Sequence, residues 1–157
     1  MEHILTKVFN KRVIIVAKDK SIIAISFETQ DGFSYYLANS VENKHSDLLI
    51  SAKKQLDEYA SGKRKSFNIK LKFNGTDFQK SVWNEVAKIP YDQITSYSEI
   101  ASRISKPRAY RAVANAIGKN PICIVIPCHR IIRNNGDLGG YGGGIKIKKQ
   151  LLSIEAI

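Results

Sequence analysis

Cys128 and His129 stand side by side in Ile126-Pro127-Cys128-His129-Arg130, and a thiol next to an imidazole is a nucleophile next to a base. The apolar run Ile122 to Ile126 just ahead predicts a buried strand that delivers this pair, with Pro127 interrupting it where polar residues begin. Packing is the competing explanation, because a free cysteine commonly behaves as a small buried hydrophobe. Cys123, inside Pro121-Ile122-Cys123-Ile124-Val125, fits that role. For Cys128 the residues alone leave both readings open.

The surroundings favour chemistry on a polyanion. Residues Ile100 to Gly136 contain no Asp or Glu, yet carry Arg103, Lys106, Arg108, Arg111, Lys119, Arg130 and Arg133. Over 157 residues the net charge is +11, which implies an acidic partner; nucleic acid and an anionic membrane surface are both attracted by such a field. A hydrophobic content of 43% supports a globular core. No apolar run reaches membrane-spanning length and the start has no secretory pattern, so a cytoplasmic setting with two free thiols is expected.

The elements that must hold these residues divide into two sets. Ile4 to Phe9, Val13 to Ala17 and Ile22 to Phe27 are β-branched runs separated by polar breaks, which predicts an antiparallel meander. Leu49, Ala52, Leu56 and Tyr59 recur at helical spacing, giving one helix over Ser46 to Tyr59 to cover that sheet. Phe67, Ile69, Leu71 and Phe73 alternate with polar residues, as in an extended segment apolar on one face, and a domain boundary follows at residue 74. The expected organisation is an N-terminal sheet-and-helix domain, residues 1–74, and a helical C-terminal domain, residues 75–157. The fold class is α/β (α+β).

In the second part, Thr76-Asp77-Phe78-Gln79 and Ser96-Tyr97-Ser98-Glu99 both match the capping box, so helices begin near 77 and 97. The first ends before Ile89-Pro90. The second gives way at Ile104-Ser105-Lys106 to a third, opened by Pro107 and closed by Gly118. On that third helix Arg108 and Arg111 fall one turn apart among Ala109, Ala112, Ala114 and Ala116, a surface that approaches a partner closely while aiming cations at it. A small-residue core helix with solvated arginines is the alternative, and the acid-free surroundings favour DNA over it.

Taken together, Asn120-Pro121, Ile126-Pro127-Cys128-His129-Arg130, Gly139-Gly140-Tyr141 and Leu151-Leu152-Ser153-Ile154-Glu155 closely resemble, in order and spacing, the O6-alkylguanine-DNA alkyltransferases. Phe78-Gln79, Val82-Trp83, Ile89-Pro90, Ser96-Tyr97 and Arg111-Ala112-Val113 belong to the same resemblance, which is specific over residues 75–155. It implies an RNase H-like N-terminal domain and a C-terminal helix-turn-helix. The implied activity is that of a methylated-DNA–protein-cysteine methyltransferase: direct, stoichiometric repair, in which an alkyl group passes from guanine O6 in duplex DNA to Cys128. The implied relay is Cys128, His129 and Glu155, with Tyr97 donating a proton toward guanine N3. Without the resemblance, Glu155 reads as a solvated carboxylate and Tyr97 as a half-buried aromatic at a helix start.

The resemblance further implies that the target nucleotide is extruded from the duplex. DNA contacts are implied at Arg111, Arg108, Arg130, Ser96 and Asn120, with Arg111 filling the vacated space. The alkyl pocket is implied at Tyr141, Gly142, Gly143 and Pro127. A serine often follows this tyrosine in the family; Gly142 stands there instead, which removes a hydroxyl and loosens the loop. Lys148 matches a lysine near the family's active site, and as part of Ile145-Lys146-Ile147-Lys148-Lys149 it equally suits a solvated helix face. No cofactor or metal is expected, since Cys123, Cys128 and His129 lack a near fourth ligand and a metal on Cys128 would consume the nucleophile. A monomer is expected. A cysteine phosphatase would need an arginine six residues after its cysteine, where Asn134 stands; a cysteine hydrolase would turn over repeatedly; a lesion-binding module would lack the nucleophile.

Overall fold

A computed structural model describes residues 1–157. They form two compact units, Met1–Phe73 with Pro121–Cys123, and Asn74–Asn120 with Ile124–Ile157. A single cut at residue 74 would leave Pro121–Cys123 in the second unit.

In the first unit β1 (Glu2–Val8), β2 (Lys11–Lys18) and β3 (Ser21–Phe27) make the antiparallel meander. Its two tight turns are built on residue pairs with positive φ, Phe9-Asn10 and Asp19-Lys20. That is the backbone a two-residue hairpin needs to match the strands' twist. The sheet order is β3-β2-β1-β4, with β4 (Val41–Glu42) joining β1 in parallel. Two helices pack on this sheet where the sequence predicted one: α1 (Asp31–Asn39) and α2 (Asp47–Ala60). Val13 to Ala17 in β2 are buried without alternation, the mark of a strand covered on both faces. Ile14, Val16 and Ala24 form one core cluster with Phe33 of α1. Helix α1 is hard to see in sequence because its span contains Gly32, Ser34 and Asn39 and its cap residue Gln30 makes no side-chain cap bond.

Residues 67–73 keep the predicted alternation of half-buried apolar and exposed polar side chains. They do not form a full strand; a local bridge joins Leu71 to Ile22, with Ile22 N–H donating to Lys70 O at 2.8 Å. The expected strand Ile122 to Ile126 is also absent. Ile122 makes an isolated bridge to Ile25, and the chain turns at Ile124, whose φ is +72°.

The second unit is helical: α3 (Asp77–Ala87), α4 (Tyr97–Arg103), α5 (Tyr110–Gly118) and α6 (Ile145–Ile154). Thr76 caps α3 in a full capping box with Gln79. At α4 only half of the expected box forms: Ser96 Oγ accepts from Glu99 N–H at 3.1 Å, while the Glu99 carboxylate turns to Arg103. Helices α4 and α5 are the helix-turn-helix, packed on each other and on α3. The Trp83 indole of α3 donates to Ala116 O of α5 at 2.8 Å, and Gly75 lets the chain lie against that indole, since a Cβ there would fall 2.7 Å from ring carbons. Helix α5 starts at Tyr110 rather than at Pro107, because residues 107–109 form a turn closed by Ala109 N–H to Lys106 O at 2.9 Å. Arg108 therefore precedes the helix and does not share a helical face with Arg111.

Thr76→Ala removes the cap acceptor of α3 and is expected to cost about 1 kcal/mol of stability, read as a lower urea midpoint with unchanged slope.

Candidate active site

Cys128 opens a single 3-10 turn, Cys128–Arg130, followed at once by β6 (Ile131–Ile132). Strand β6 pairs in parallel with β5 (Thr95–Ser96), Thr95 against Ile131 and Ser96 against Ile132. This short pairing connects the thiol turn to the start of α4, where Tyr97 is the first helical residue.

The sulfur is half-buried and has a defined donor: the Asn120 amide gives one N–H to Ile126 O at 3.0 Å and one to Cys128 Sγ at 3.2 Å. Hydrogen bonding to a developing thiolate favours the charged form. Asn120 is only 5% exposed; where the sequence reading expects a DNA contact, its amide lies under the thiol.

His129 and Glu155 are both buried, with Nε2 2.6 Å from Oε2. A carboxylate only accepts, so Nε2 carries the proton and Nδ1 is the basic nitrogen. Burial pushes the His129 pKa below its ordinary 6.5; the Glu155 bond opposes that shift and the Arg130 charge adds to it. The neutral imidazole, the form able to take a proton, is therefore favoured. Glu155 also accepts from Arg130 Nε at 2.7 Å and from Asp92 N–H at 3.0 Å through Oε1. Arg130 is 6% exposed and spends another donor on Ile89 O at 2.6 Å. It thus departs from its expected role as a DNA contact: both of these guanidinium bonds point inward, where it neutralises Glu155.

Lys148 is fully buried, so it is not part of a solvated helix face. Its ammonium donates to Ile131 O at 2.7 Å, to Leu138 O and to Gly140 O, so it ties β6 to the 138–140 loop. Burial pulls its pKa down to about 8, Cys128 pushes it up and Arg133 pushes it down. The ammonium consequently sits within electrostatic reach of the sulfur, where it favours thiolate.

Tyr97 is half-buried, and its phenol pKa is raised first by burial and then by Cys128, with Arg133 opposing. Gly139 packs against it with φ +72°; a Cβ there would lie 3.0 Å from Tyr97 Oη. A cavity of about 340 Å³ opens beside Tyr97, with Ser98, Tyr110, Arg111, Arg133 and Asn134 among its walls. The glycine loop contributes Gly140 to it. Pro127 and Gly143 are buried, Gly142 is exposed, and the Tyr141 ring meets the His129 ring edge-on at 6.4 Å. Arg108 and Arg111 are exposed, Arg111 lying over the Tyr110 ring at 5.9 Å. Ser96 uses its hydroxyl to cap α4. Arg133 and Asn134 were not singled out from sequence as site residues; the absence of acids around Arg133 was the only signal. No three His, Cys, Asp or Glu side chains are grouped to hold a metal ion.

Comparison with known proteins agrees with this geometry. Residues 77–157 match the model of the 6-O-methylguanine DNA methyltransferase DNA binding domain, and residues 7–73 match that family's ribonuclease-like domain. The chain belongs to the O6-methylguanine DNA methyltransferase family. A methylated-DNA–protein-cysteine methyltransferase of Methanosarcina barkeri is 52% identical over 118 residues, which is 75% of this chain and 73% of that protein. One from Haemophilus influenzae is 40% identical over 149 residues, 93% of this chain and 81% of that one. Among solved structures, Mycobacterium tuberculosis OGT in complex with DNA superposes with a TM-score of 0.86 at 34% identity, covering 98% of this chain and 91% of that chain. The α/β architecture of the family is therefore present here. No helix is long and apolar enough to cross a membrane.

Two outcomes follow. By NMR, His129 at neutral pH should show a neutral ring with its proton on Nε2, and should protonate only below pH 6.5. Its neutral form is the one the fold favours, so this contribution to stability is complete above about pH 6.5 and is lost as pH falls through the lowered value. Arg130→Ala leaves Glu155 buried without its cation and should cost about 3–5 kcal/mol in chemical unfolding.

Proposed function

We propose that this protein repairs O6-alkylguanine in duplex DNA by moving the alkyl group to Cys128, once per molecule. The observation that carries this reading is the polar support around one sulfur: the Asn120 N–H on Sγ, with the buried His129–Glu155 pair in the adjoining residues. An ordinary thiol near pKa ~8.5 is only a few per cent ionised at neutral pH, so a base has to take its proton. His129 Nδ1 is that base, held by Glu155, which also stabilises the imidazolium that results.

The thiolate then attacks the alkyl carbon. A carbon–sulfur bond forms, the carbon–O6 bond breaks, and its electron pair passes into the guanine ring. Tyr97 donates a proton at N3, so that neutral guanine departs. Burial keeps the Tyr97 proton in place until that charge develops. The product is a thioether with no good leaving group, and the site offers no second nucleophile to release it. A base stacked in a duplex cannot reach Cys128, so the nucleotide is extruded. Exposed Arg111 on α5 is the residue that fills the gap, and Arg108, in the turn ahead of α5, adds a phosphate contact. Tyr141 and the Gly142–Gly143 segment wall the alkyl pocket, with Pro127 beneath. With Gly142 in place of a hydroxyl side chain, only backbone groups serve guanine O6 there.

Mixing a fixed amount of protein with increasing lesion-bearing duplex should give a single burst of restored guanine equal to the protein added, with no further release over hours. Continued turnover would make Cys128 a recycling catalyst and defeat the suicide mechanism.

A further inference from the structure

Arg133 is a cation without a partner in a frame that holds it still. None of the ion pairs of the fold includes it. The closest acid in sequence, Asp137, directs its carboxylate to Asn135 Nδ2 at 3.1 Å. The backbone of Arg133 is nevertheless fixed. Its N–H donates to Asp137 O and its carbonyl accepts from Gly136 N–H, both at 2.9 Å, closing a tight turn directly after β6. The next residue, Asn134, donates to Ser98 Oγ at 2.8 Å and pins that turn to the first turn of α4. The exposed side chain lines the 340 Å³ cavity together with Tyr97 and Arg111. That volume lies in the range of ~300–1,000 Å³ common for small-molecule sites.

We infer that Arg133 binds a phosphate flanking the extruded nucleotide, acting as a positioning residue that recognises the lesion as part of a DNA strand rather than as a free base. This rests on the reading of Cys128 given above. Arg111 and Arg133 enter the cavity from different elements, α5 and the turn after β6. Arg111 belongs to the helix that meets the duplex; Arg133 belongs to the segment that carries the thiol. A nucleotide passing from the duplex toward Cys128 brings its phosphodiester past the second cation. A guanidinium suits that ligand, because its planar donors match two phosphate oxygens at once and it stays charged throughout. Tyr97 feels the charges of both Cys128 and Arg133, so the guanidinium lies within electrostatic reach of the phenol beside the thiol.

The test uses Arg133→Ala and Arg133→Lys on three substrates: a duplex with one O6-methylguanine, the same duplex with a neutral methylphosphonate 5′ or 3′ to the lesion, and free O6-benzylguanine. Expected are a loss of about tenfold or more for Arg133→Ala on the ordinary duplex, partial rescue by Lys, and a similar loss for the wild type at one methylphosphonate. The Ala variant should lose nothing further there, and free O6-benzylguanine should react at the wild-type rate, which also shows the variant folded. Its salt slope should fall by about 1, the value of one phosphate contact. The inference is overturned if Arg133→Ala matches wild type on duplex, if it is equally slow on the free base, or if the methylphosphonate effect persists undiminished in the variant. Should the wild type itself transfer nothing to Cys128, the reading of the thiol fails first and takes this inference with it.

Discussion

A carboxylate taken out of water needs enough donors to replace its hydration, and Glu155 meets that requirement with three: His129 Nε2, Arg130 Nε and the Asp92 N–H. Two come from the thiol turn and one from the segment before β5, so one buried charge fixes that turn, that segment and the end of α6 in a single arrangement. Tyr91 adds a fourth tie from its hydroxyl to Ile154 O at 2.9 Å. Arg130 is what makes this affordable. With its charge on Glu155 the cluster is neutral while His129 is neutral, and a proton arriving on His129 is costly in the resting site. In the proposed transfer, His129 gains from Glu155 when it takes the proton that thiolate formation releases.

The sulfur is also supported by the Asn120 amide and the Lys148 ammonium. Asn120 ends the segment after α5 and donates to both Ile126 O and Cys128 Sγ. One amide thus ties the segment after α5 to the thiol turn. Lys148 holds β6 and the 138–140 loop together through their carbonyls, which sets the relation between Cys128 and the cavity rim. Donor and cation thus bear on the same atom, Asn120 by a hydrogen bond and Lys148 through its charge.

Much of this was legible in sequence where the signal is local. The meander, helix α2, the capping box at Thr76 and the Cys128-His129 pair rest on alternation, helical spacing and adjacent residue types, and these features survive folding. Helix α1 was missed because tertiary packing on the sheet overrides the weak propensity of its Gly, Ser and Asn residues. The strand expected at Ile122 to Ile126 was misread because an apolar run signals burial without stating backbone form, and Ile124 turns the chain. Arg130 was misplaced for a related reason. A cation in an acid-free stretch looks exposed until Glu155, 25 positions on in sequence, is seen to accept it. Asn120 and Lys148 show the same limit: their partners are carbonyls and a sulfur, which no side-chain pattern announces.

The most direct test of the account is to locate the transferred group. Intact and peptide mass spectrometry after mixing the protein with an equimolar duplex carrying one O6-methylguanine should show a single added methyl on the peptide containing Cys128, matched by restored guanine and absent from Cys128→Ser. Lesion binding with no mass change on the protein would contradict it, and would leave the His129–Glu155–Arg130 cluster as scaffolding for a protein that recognises damage without repairing it.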